Sequence, residues 1–177
     1  MTSISVIYHS GYGHTQRVAQ FVAQGAGARL IEINADGDIS ESDWAALDQS
    51  QAIVFGSPTY MGMASWQFKK FADASSKRWF ASQWKDKLAG GFTVSSNLSG
   101  DKLSTLQYFI TLAMQHGMIW VGQPLMNDGQ VNRLGSSSGV MAQVGPTSPA
   151  ADIPQGDLET ARLYGERVRA WAERFSK

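Results

Sequence analysis

The residues best suited to binding chemistry lie near the start of the chain, in residues 10–15 (Ser-Gly-Tyr-Gly-His-Thr). They follow a short, β-branched apolar run, which predicts a buried strand, and they precede apolar residues at helical spacing. A strand, a tight loop and a helix N-terminus in this order present free backbone N–H groups and the positive end of a helix dipole to an anion. The segment therefore predicts a phosphate site made of Ser10, Gly11, Tyr12, Gly13, His14 and Thr15.

The residue types in this segment exclude several kinds of phosphate site. A P-loop requires a Lys after its glycines, and the dinucleotide fingerprint requires a third glycine where Gln16 stands. A phosphatase loop of similar topology would need a nucleophilic Cys, which the chain lacks, and a response regulator would need acidic residues after its first and third strands. What remains is a loop that binds a phosphate monoester and leaves it intact, or a glycine-rich turn that only closes a βα unit.

Composition narrows the possible functions further. The chain has 177 residues, no Cys, a formal net charge of zero and no run of like charges. A single α/β domain over residues 1–177 is expected, and the lack of a basic stripe argues against nucleic-acid binding. The first predicted strand begins close to Met1, and no apolar stretch approaches the length of a membrane span. We therefore expect a cytoplasmic protein with neither a signal peptide nor a membrane span.

Strand and helix patterns alternate along the chain, which predicts a doubly wound α/β fold with a five-stranded parallel sheet. The apolar runs do not alternate with polar residues, as expected for parallel strands that helices cover on both faces. Five strands favour the order 2-1-3-4-5, with the ligand crevice at the carboxyl ends of strands 1 and 3. Residues 122–154, rich in Gly, Ser and Pro, are expected to form a long loop that is functional or mobile. The predicted strands are 4–9, 29–33, 52–56, 88–95 and 119–121, and the predicted helices are 15–24, 42–48, 65–75, 102–116 and 157–175.

Two further loops are expected to reach this crevice. The loop after strand 3 offers aromatic and apolar surface, and the loop after strand 4 offers hydroxyl and amide groups. A phosphate cradle, a surface for a flat ring and hydrogen bonds for a polar ring edge together match the parts of flavin mononucleotide (FMN). These loops consist of Pro58, Thr59, Tyr60, Met61 and Gly62, and of Ser95, Ser96, Asn97, Leu98, Ser99 and Gly100.

The order of these motifs resembles that of the WrbA-like flavodoxins, the type IV NAD(P)H:quinone oxidoreductases. The resemblance rests on residues 10–15, on Gly-Ser-Pro-Thr-Tyr-Met-Gly at 56–62, on a Trp-rich segment and on Gln-His-Gly-Met at 115–118, and it covers nearly the whole chain. It implies a flavodoxin-like fold, an FMN cofactor, NADH or NADPH as co-substrate and a quinone as electron acceptor. It also implies a homo-oligomer, a dimer or tetramer, whose sites lie at subunit contacts.

The resemblance implies roles for the three loops when it is carried over by position. Residues 10–15 would hold the FMN phosphate, residues 59–61 would flank the isoalloxazine ring, and residues 95–101 would contact the ribityl and pyrimidine portions. The family usually carries Arg and Phe where Tyr60 and Met61 stand, and this departure concerns substrate range more than FMN binding.

The resemblance also implies two catalytic residues, His116 and Tyr60, and a substrate pocket shaped by Tyr12 and Trp79. An imidazolium at His116 near the polar edge of the ring would stabilise the negative charge of reduced FMN. His116 has a structural alternative, because a helix C-terminus favours histidine through its dipole. Trp79 belongs to an aromatic, basic segment whose alternative role is packing or subunit contact.

These interpretations converge on an FMN-dependent NAD(P)H:quinone oxidoreductase. A hydride would pass from NAD(P)H to FMN, and a quinone would then be reduced by two electrons. The near-neutral pI favours a reductase, because strongly acidic surfaces are what steer small electron shuttles to their partners. The alternatives are a flavodoxin-like FMN electron carrier and a non-catalytic, flavodoxin-like interaction module.

Overall fold

A parallel sheet forms the centre of the molecule. The computed structural model describes residues 2–175. The strands are β1 (Ile4–His9), β2 (Arg29–Ile33), β3 (Ala52–Tyr60), β4 (Met63–Ala64), β5 (Leu88–Ser95), β6 (Ile119–Trp120) and β7 (Val140–Gln143). The core strands follow the order β2-β1-β3-β5-β6, while β4 pairs antiparallel with β3 and β7 pairs parallel with β5. The predicted order 2-1-3-4-5 is confirmed, because the fourth and fifth predicted strands are β5 and β6.

Helices cover both faces of this sheet, as predicted. The helices are α1 (His14–Ala26), α2 (Glu41–Gln49), α3 (Trp66–Ala74), α4 (Ser76–Phe80), α5 (Lys102–Gln115) and α6 (Gln155–Phe175). The apolar stripes of α1 and α6 share one buried cluster with β1, and the second cluster combines α2, α3 and α5 with the opposite face of the sheet. Burying an apolar stripe on each face is what holds such layers together.

The position beside β5 is shared by two short strands. The first part of β5 pairs with β6, and its last four residues pair with β7, with Phe92 opposite Val140 and Ser95 opposite Gln143. The predicted long loop 122–154 is therefore wrong in part, because the chain returns to the sheet at β7. A four-residue strand between Gly- and Ser-rich segments is too short to give a period that a sequence pattern can reveal.

The two ends of the sheet have different surroundings. At the carboxyl edge, β1, β3 and β5 end at His9, Tyr60 and Ser95, so the three predicted loops emerge side by side. At the amino edge lie α4 and the C-terminal end of α5. The eight residues of β5 separate these edges by about 25 Å, at the usual rise per residue. Within residues 2–175, none of the helices combines the length and apolar character needed to cross a membrane.

Candidate functional site

A narrow cleft of about 120 Å³ opens at the carboxyl edge of the sheet. All three predicted loops contribute to it, and it continues into a second, more open cleft that shares Thr59, Ser95 and Ser96 with the first. The structure therefore brings most of the predicted binding residues together. The first cleft is lined by Ser10, Gly11, Tyr12, His14, Thr15, Pro58, Thr59, Tyr60, Val94, Ser95, Ser96, Val144 and Pro146, and the second adds Met61, Gly62, Asn97, Gly100 and Asp101.

The phosphate loop has the geometry of an anion site. Gly13 precedes α1 with φ of 83°, a left-handed conformation that a side chain disfavours. The N–H groups of residues 11–15 donate to no acceptor within the described part of the chain, so they are free for a ligand. Ser10 Oγ accepts the Gln16 N–H at 3.1 Å, which leaves its own hydroxyl proton to donate. Together with the dipole of α1, these donors favour a phosphate group at this position.

Tyr60 lies over the phosphate loop. Its ring meets that of Tyr12 edge to face, with centroids 6.3 Å apart, and a Cβ atom on Gly11 would lie 2.6 Å from Tyr60 Oη. Partial burial raises the pKa of Tyr60, and the neighbouring Tyr12 raises it further. Tyr60 is therefore a neutral phenol at neutral pH, with a hydroxyl group that can donate a hydrogen bond beside the cradle.

The loop after strand 3 is a β-hairpin. β3 continues beyond its predicted end at Gly56 to Tyr60, and it pairs with β4 through Thr59–Ala64 and Tyr60–Met63. The two residues between the strands, Met61 and Gly62, both have positive φ, at 48° and 79°, as a type I′ turn requires. The Met61 side chain is consequently fully exposed at the tip, where it can cover a flat ligand in the cleft.

Buried hydroxyl groups fix the hairpin from below. Thr59 Oγ1 lies 2.8 Å from both Thr93 Oγ1 and Thr105 Oγ1, which joins β3 to β5 and α5. All three side chains are buried. This network could not be predicted from the sequence, because single threonines in a strand or a helix carry no pattern that relates them to one another.

A second polar network lies under the first loop. His9 Nδ1 lies 2.8 Å from Ser65 Oγ, and Ser65 also caps α3 by accepting the Phe68 N–H. Burial lowers the pKa of His9, so its imidazole is neutral at neutral pH. The end of β1 is thereby tied to the start of α3, which fixes the direction in which Ser10 leaves the sheet.

The segment after β7 supplies lining residues that sequence reasoning missed. Val144 and Pro146 face the first cleft, and His14 Nε2 lies 2.7 Å from the Ser148 carbonyl oxygen. His14, a predicted phosphate ligand, thus fastens this segment to the phosphate loop through its side chain. The only signal for these residues was the high Gly, Ser and Pro content of 122–154, which is typical of a functional loop.

Leu98 and Ser99 lie beside the clefts instead of inside them. They line a larger, open groove of about 1080 Å³ that runs along α5 and includes Leu103 and Tyr108. None of the phosphate-loop residues line this groove, so we do not assign the cofactor to it, although it is larger than either cleft. It is instead an extension of the second cleft, with Asp101 common to both.

His116 and Trp79 lie outside both clefts. Both line a separate groove at the amino edge of the sheet, at the opposite end of β5 from the cleft. His116 is buried, stacks on Trp84 with ring centroids 4.4 Å apart, and has its Nε2 atom 2.9 Å from Ser75 Oγ. Burial lowers the pKa of His116, which opposes the expected imidazolium. His116 and Trp79 therefore do not line the cleft of their own chain, and their predicted roles at a flavin stay predictions that concern the cleft of a neighbouring subunit.

The cleft residues fit FMN at both of its ends. The free N–H groups of residues 11–15 suit the phosphate, and the second cleft, between Met61 and the polar loop 95–97, suits a flat ring with polar edges. Nothing in residues 2–175 gathers three or more metal-ligating side chains that could hold a metal ion. The free N–H groups and the shape of the cleft support binding and orientation of a phosphorylated ring compound.

This sheet order and this cleft define a flavodoxin-like protein. The family model for NADPH-dependent FMN reductase matches residues 10–132. A crystal structure described as a flavodoxin, WrbA-like protein from Agrobacterium tumefaciens is 53% identical, with a TM-score of 0.84 over 98% of this chain and 99% of that one. The chain belongs to the NADPH-dependent FMN reductase family and, within it, to the WrbA-like flavodoxins.

Two curated relatives extend the comparison. Flavodoxin FldP of Pseudomonas aeruginosa (strain UCBPP-PA14) is 51% identical over 175 residues, which cover 95% of each chain. An NAD(P)H dehydrogenase (quinone) of Geotalea uraniireducens (strain Rf4) is 28% identical over 201 residues, which cover 98% of this chain and 99% of that one. The relatives thus include a protein named as a flavodoxin and a protein named as a quinone-dependent dehydrogenase. The family implies FMN and oxidoreductase activity.

Proposed function

We propose that the chain binds FMN in the cleft at the carboxyl edge and acts as an NAD(P)H:quinone oxidoreductase. The observation that supports this most directly is the set of free N–H groups of residues 11–15 beside an open, ring-sized cleft. The likeness to an NAD(P)H dehydrogenase (quinone) over nearly the whole of both chains adds support for the electron donor and acceptor.

The residues of the chain would bind FMN and orient it. Backbone N–H groups and Ser10 would hold the phosphate, and Thr59 to Met61 would set the position of the ring. Bound FMN would supply the two-electron chemistry. The neutral Tyr60 hydroxyl would donate a hydrogen bond at the rim, and the exposed Tyr12 ring, 76% accessible, would offer a flat surface to an incoming ring.

An oligomer is part of this proposal. Trp79 and His116 lie too far from the cleft of their own chain to contact its ligand, so only a neighbouring subunit could present them to a flavin. Trp79 is 46% exposed and stacks edge to face with Phe80, which is 81% exposed. Exposed aromatic residues of this kind are enriched at protein interfaces. Light scattering measures the assembly, and Trp79→Ala would raise the KM for the quinone if the assembled site uses this residue.

A flavodoxin-like electron carrier is the second candidate. Two relatives above 50% identity are described as flavodoxins. In addition, the cleft of a single chain lacks Trp79, which the resemblance to quinone oxidoreductases implied for the substrate pocket. A carrier would need only the bound FMN with an exposed ring edge.

Anaerobic reduction of the FMN-loaded protein separates these functions. The reductase proposal expects NADH or NADPH to bleach the flavin absorbance and benzoquinone to restore it rapidly. Flavin that neither pyridine nucleotide bleaches, although dithionite does, would contradict the reductase and leave the carrier. A protein that stays colourless in excess FMN would contradict both and favour an interaction module.

A further inference from the structure

Lys102, the first residue of α5, is completely buried beside the second cleft. Its Nζ atom donates to Ser95 Oγ at 2.7 Å and to the carbonyl oxygens of Asn97 at 2.7 Å and Leu98 at 3.0 Å. An ammonium group has three N–H donors, so these contacts satisfy it completely. All three acceptors are neutral, and two of the three residues that supply them line the cleft.

Within residues 2–175, no carboxylate forms an ion pair with this ammonium. Asp157 of α6 is the nearby acidic group, but it is already paired with Arg133, with Nη2 2.8 Å from Oδ2, and it accepts the Gln143 N–H. The net charge is therefore +1 over the group formed by Lys102, Arg133 and Asp157. Asp101, which precedes Lys102 in the chain, is exposed. Burial lowers the pKa of Lys102 to about 8; Asp157 opposes this shift and Arg133 adds to it.

The loop 95–101 is folded around this charge. A Cβ atom on Gly100 would overlap Ser95 Oγ, so the loop closes on itself as tightly as its backbone allows. The carbonyl oxygens of Asn97 and Leu98 point at the ammonium, which withdraws their partial negative charge from a ligand in the cleft. Loop shape and local charge therefore both depend on Lys102.

We propose that Lys102 is a positioning residue of the flavin site, which holds loop 95–98 in its binding shape and adds an unbalanced positive charge that favours reduced FMN. Two-electron reduction with uptake of one proton leaves the ring with one additional negative charge. A fixed cation in a site of low dielectric stabilises such a charge more than water does. This inference rests on the proposed binding of FMN in the cleft.

Lys102→Met tests the proposal, with Lys87→Met as the matched control. The Lys87 Nζ atom also binds carbonyl oxygens, those of Asp48 and Ser50 at 2.5 Å, and burial also lowers the pKa of Lys87, but it lies at the amino edge of the sheet. Flavin fluorescence gives the affinity for FMN, and a xanthine oxidase titration against reference dyes gives the midpoint potential.

We expect Lys102→Met to weaken binding of oxidised FMN several-fold and of reduced FMN about tenfold more. A tenfold change in this ratio corresponds to a two-electron midpoint potential about 30 mV lower. Lys87→Met should leave both values at those of the wild type. Equal potentials for Lys102→Met and wild type would overturn the inference while FMN binding stands. A wild-type protein that binds no FMN would instead overturn the proposed function.

A pH titration decides the question even if Lys102→Met does not fold. Burial lowers the pKa of Lys102 to about 8, so a growing fraction of the oxidised protein lacks the Lys102 proton as the pH rises above 8. Reduction should restore that proton, because the negative ring favours the ammonium. The potential of the wild type and of Lys87→Met should therefore fall more steeply with pH above about 8 than that of free FMN measured in parallel. Slopes identical to that of free FMN from pH 7 to 9.5 would overturn the inference.

Discussion

Thr59 Oγ1 lies 2.8 Å from Thr105 Oγ1, and this contact joins the hairpin that borders the candidate cleft to the first turn of α5. Both hydroxyl groups are buried, and Thr59 also contacts Thr93 of β5. The hairpin is therefore positioned by a helix that contributes its N-terminal residues to a different wall of the same site. Changes on α5 should consequently reach the ligand through Thr59.

Thr105→Val removes this contact with little change in volume. We expect the free energy of unfolding to fall by about 0.5–1.5 kcal/mol, the usual net value of one hydrogen bond, and the affinity for FMN to fall as the hairpin loosens. Urea denaturation and flavin fluorescence measure the two effects. Thr111→Val on the same helix is the control, because its hydroxyl group is exposed and bonds only to the Gln107 carbonyl oxygen. Equal FMN affinity in both variants would show that the hairpin does not depend on Thr105.

The phosphate loop makes a separate prediction about side chains. Ser10→Ala combined with Thr15→Ala should weaken FMN affinity at least several-fold, because a hydrogen bond to a charged group contributes roughly 1.5–3 kcal/mol. Riboflavin, which lacks the phosphate, should bind the variant and the wild type alike. Isothermal titration with both ligands measures this difference. Ser42→Ala, at an exposed position in α2, is the control. An unchanged FMN affinity would assign the whole phosphate contact to the backbone.

Gly11 and Tyr60 predict a rescue experiment. A Cβ atom at Gly11 would lie 2.6 Å from Tyr60 Oη but 3.5 Å from Cζ, so the hydroxyl oxygen alone makes the close contact. Gly11→Ala should displace the Tyr60 ring and weaken FMN binding. Gly11→Ala with Tyr60→Phe should recover much of the affinity, because the obstructing atom is gone. Fluorescence titration of the two single variants and the double variant forms a cycle in which additive effects would contradict this contact.

The sequence predicted most of the sheet because its signals were local. The bounds of β1, β2 and β5 agree with the predicted 4–9, 29–33 and 88–95, each an apolar run between polar or glycine-containing loops. β3 continues past its predicted end at Gly56, although glycine inside a strand is uncommon. A Cβ atom there would overlap the Phe92 ring, so this glycine serves packing between neighbouring strands.

Other features depend on distant contacts that no local pattern encodes. A single Lys at position 102 is typical of a solvated surface, and its burial follows only from the way loop 95–101 closes over it. His116 is the converse case, because here a local motif was present but did not reveal the position of the residue in the fold. Its motif predicted a site residue, but the length of α5 carries it to the far edge of the sheet, where Trp84 and Ser75 bury it.

The two buried histidines predict how stability depends on pH. Burial lowers the folded-state pKa of both His9 and His116 below the ordinary value of 6.5. Between the lowered value and 6.5 the unfolded chain binds more protons than the folded one, so the free energy of unfolding should decrease as pH falls through this window. Urea denaturation of the apoprotein between pH 7.5 and 5 measures the loss. His9→Gln and His116→Gln should each reduce the pH-dependent part, whatever they do to stability at pH 7.5, and the double variant should reduce it most. FMN binding distinguishes the two histidines. His9 joins Ser65 to the strand that leads into Ser10, so acidification should weaken FMN binding through protonation of His9. His116→Gln should leave this pH dependence of FMN binding unchanged. A pH profile of unfolding that both single variants and the double variant leave unaltered would contradict the burial of neutral imidazoles at these positions.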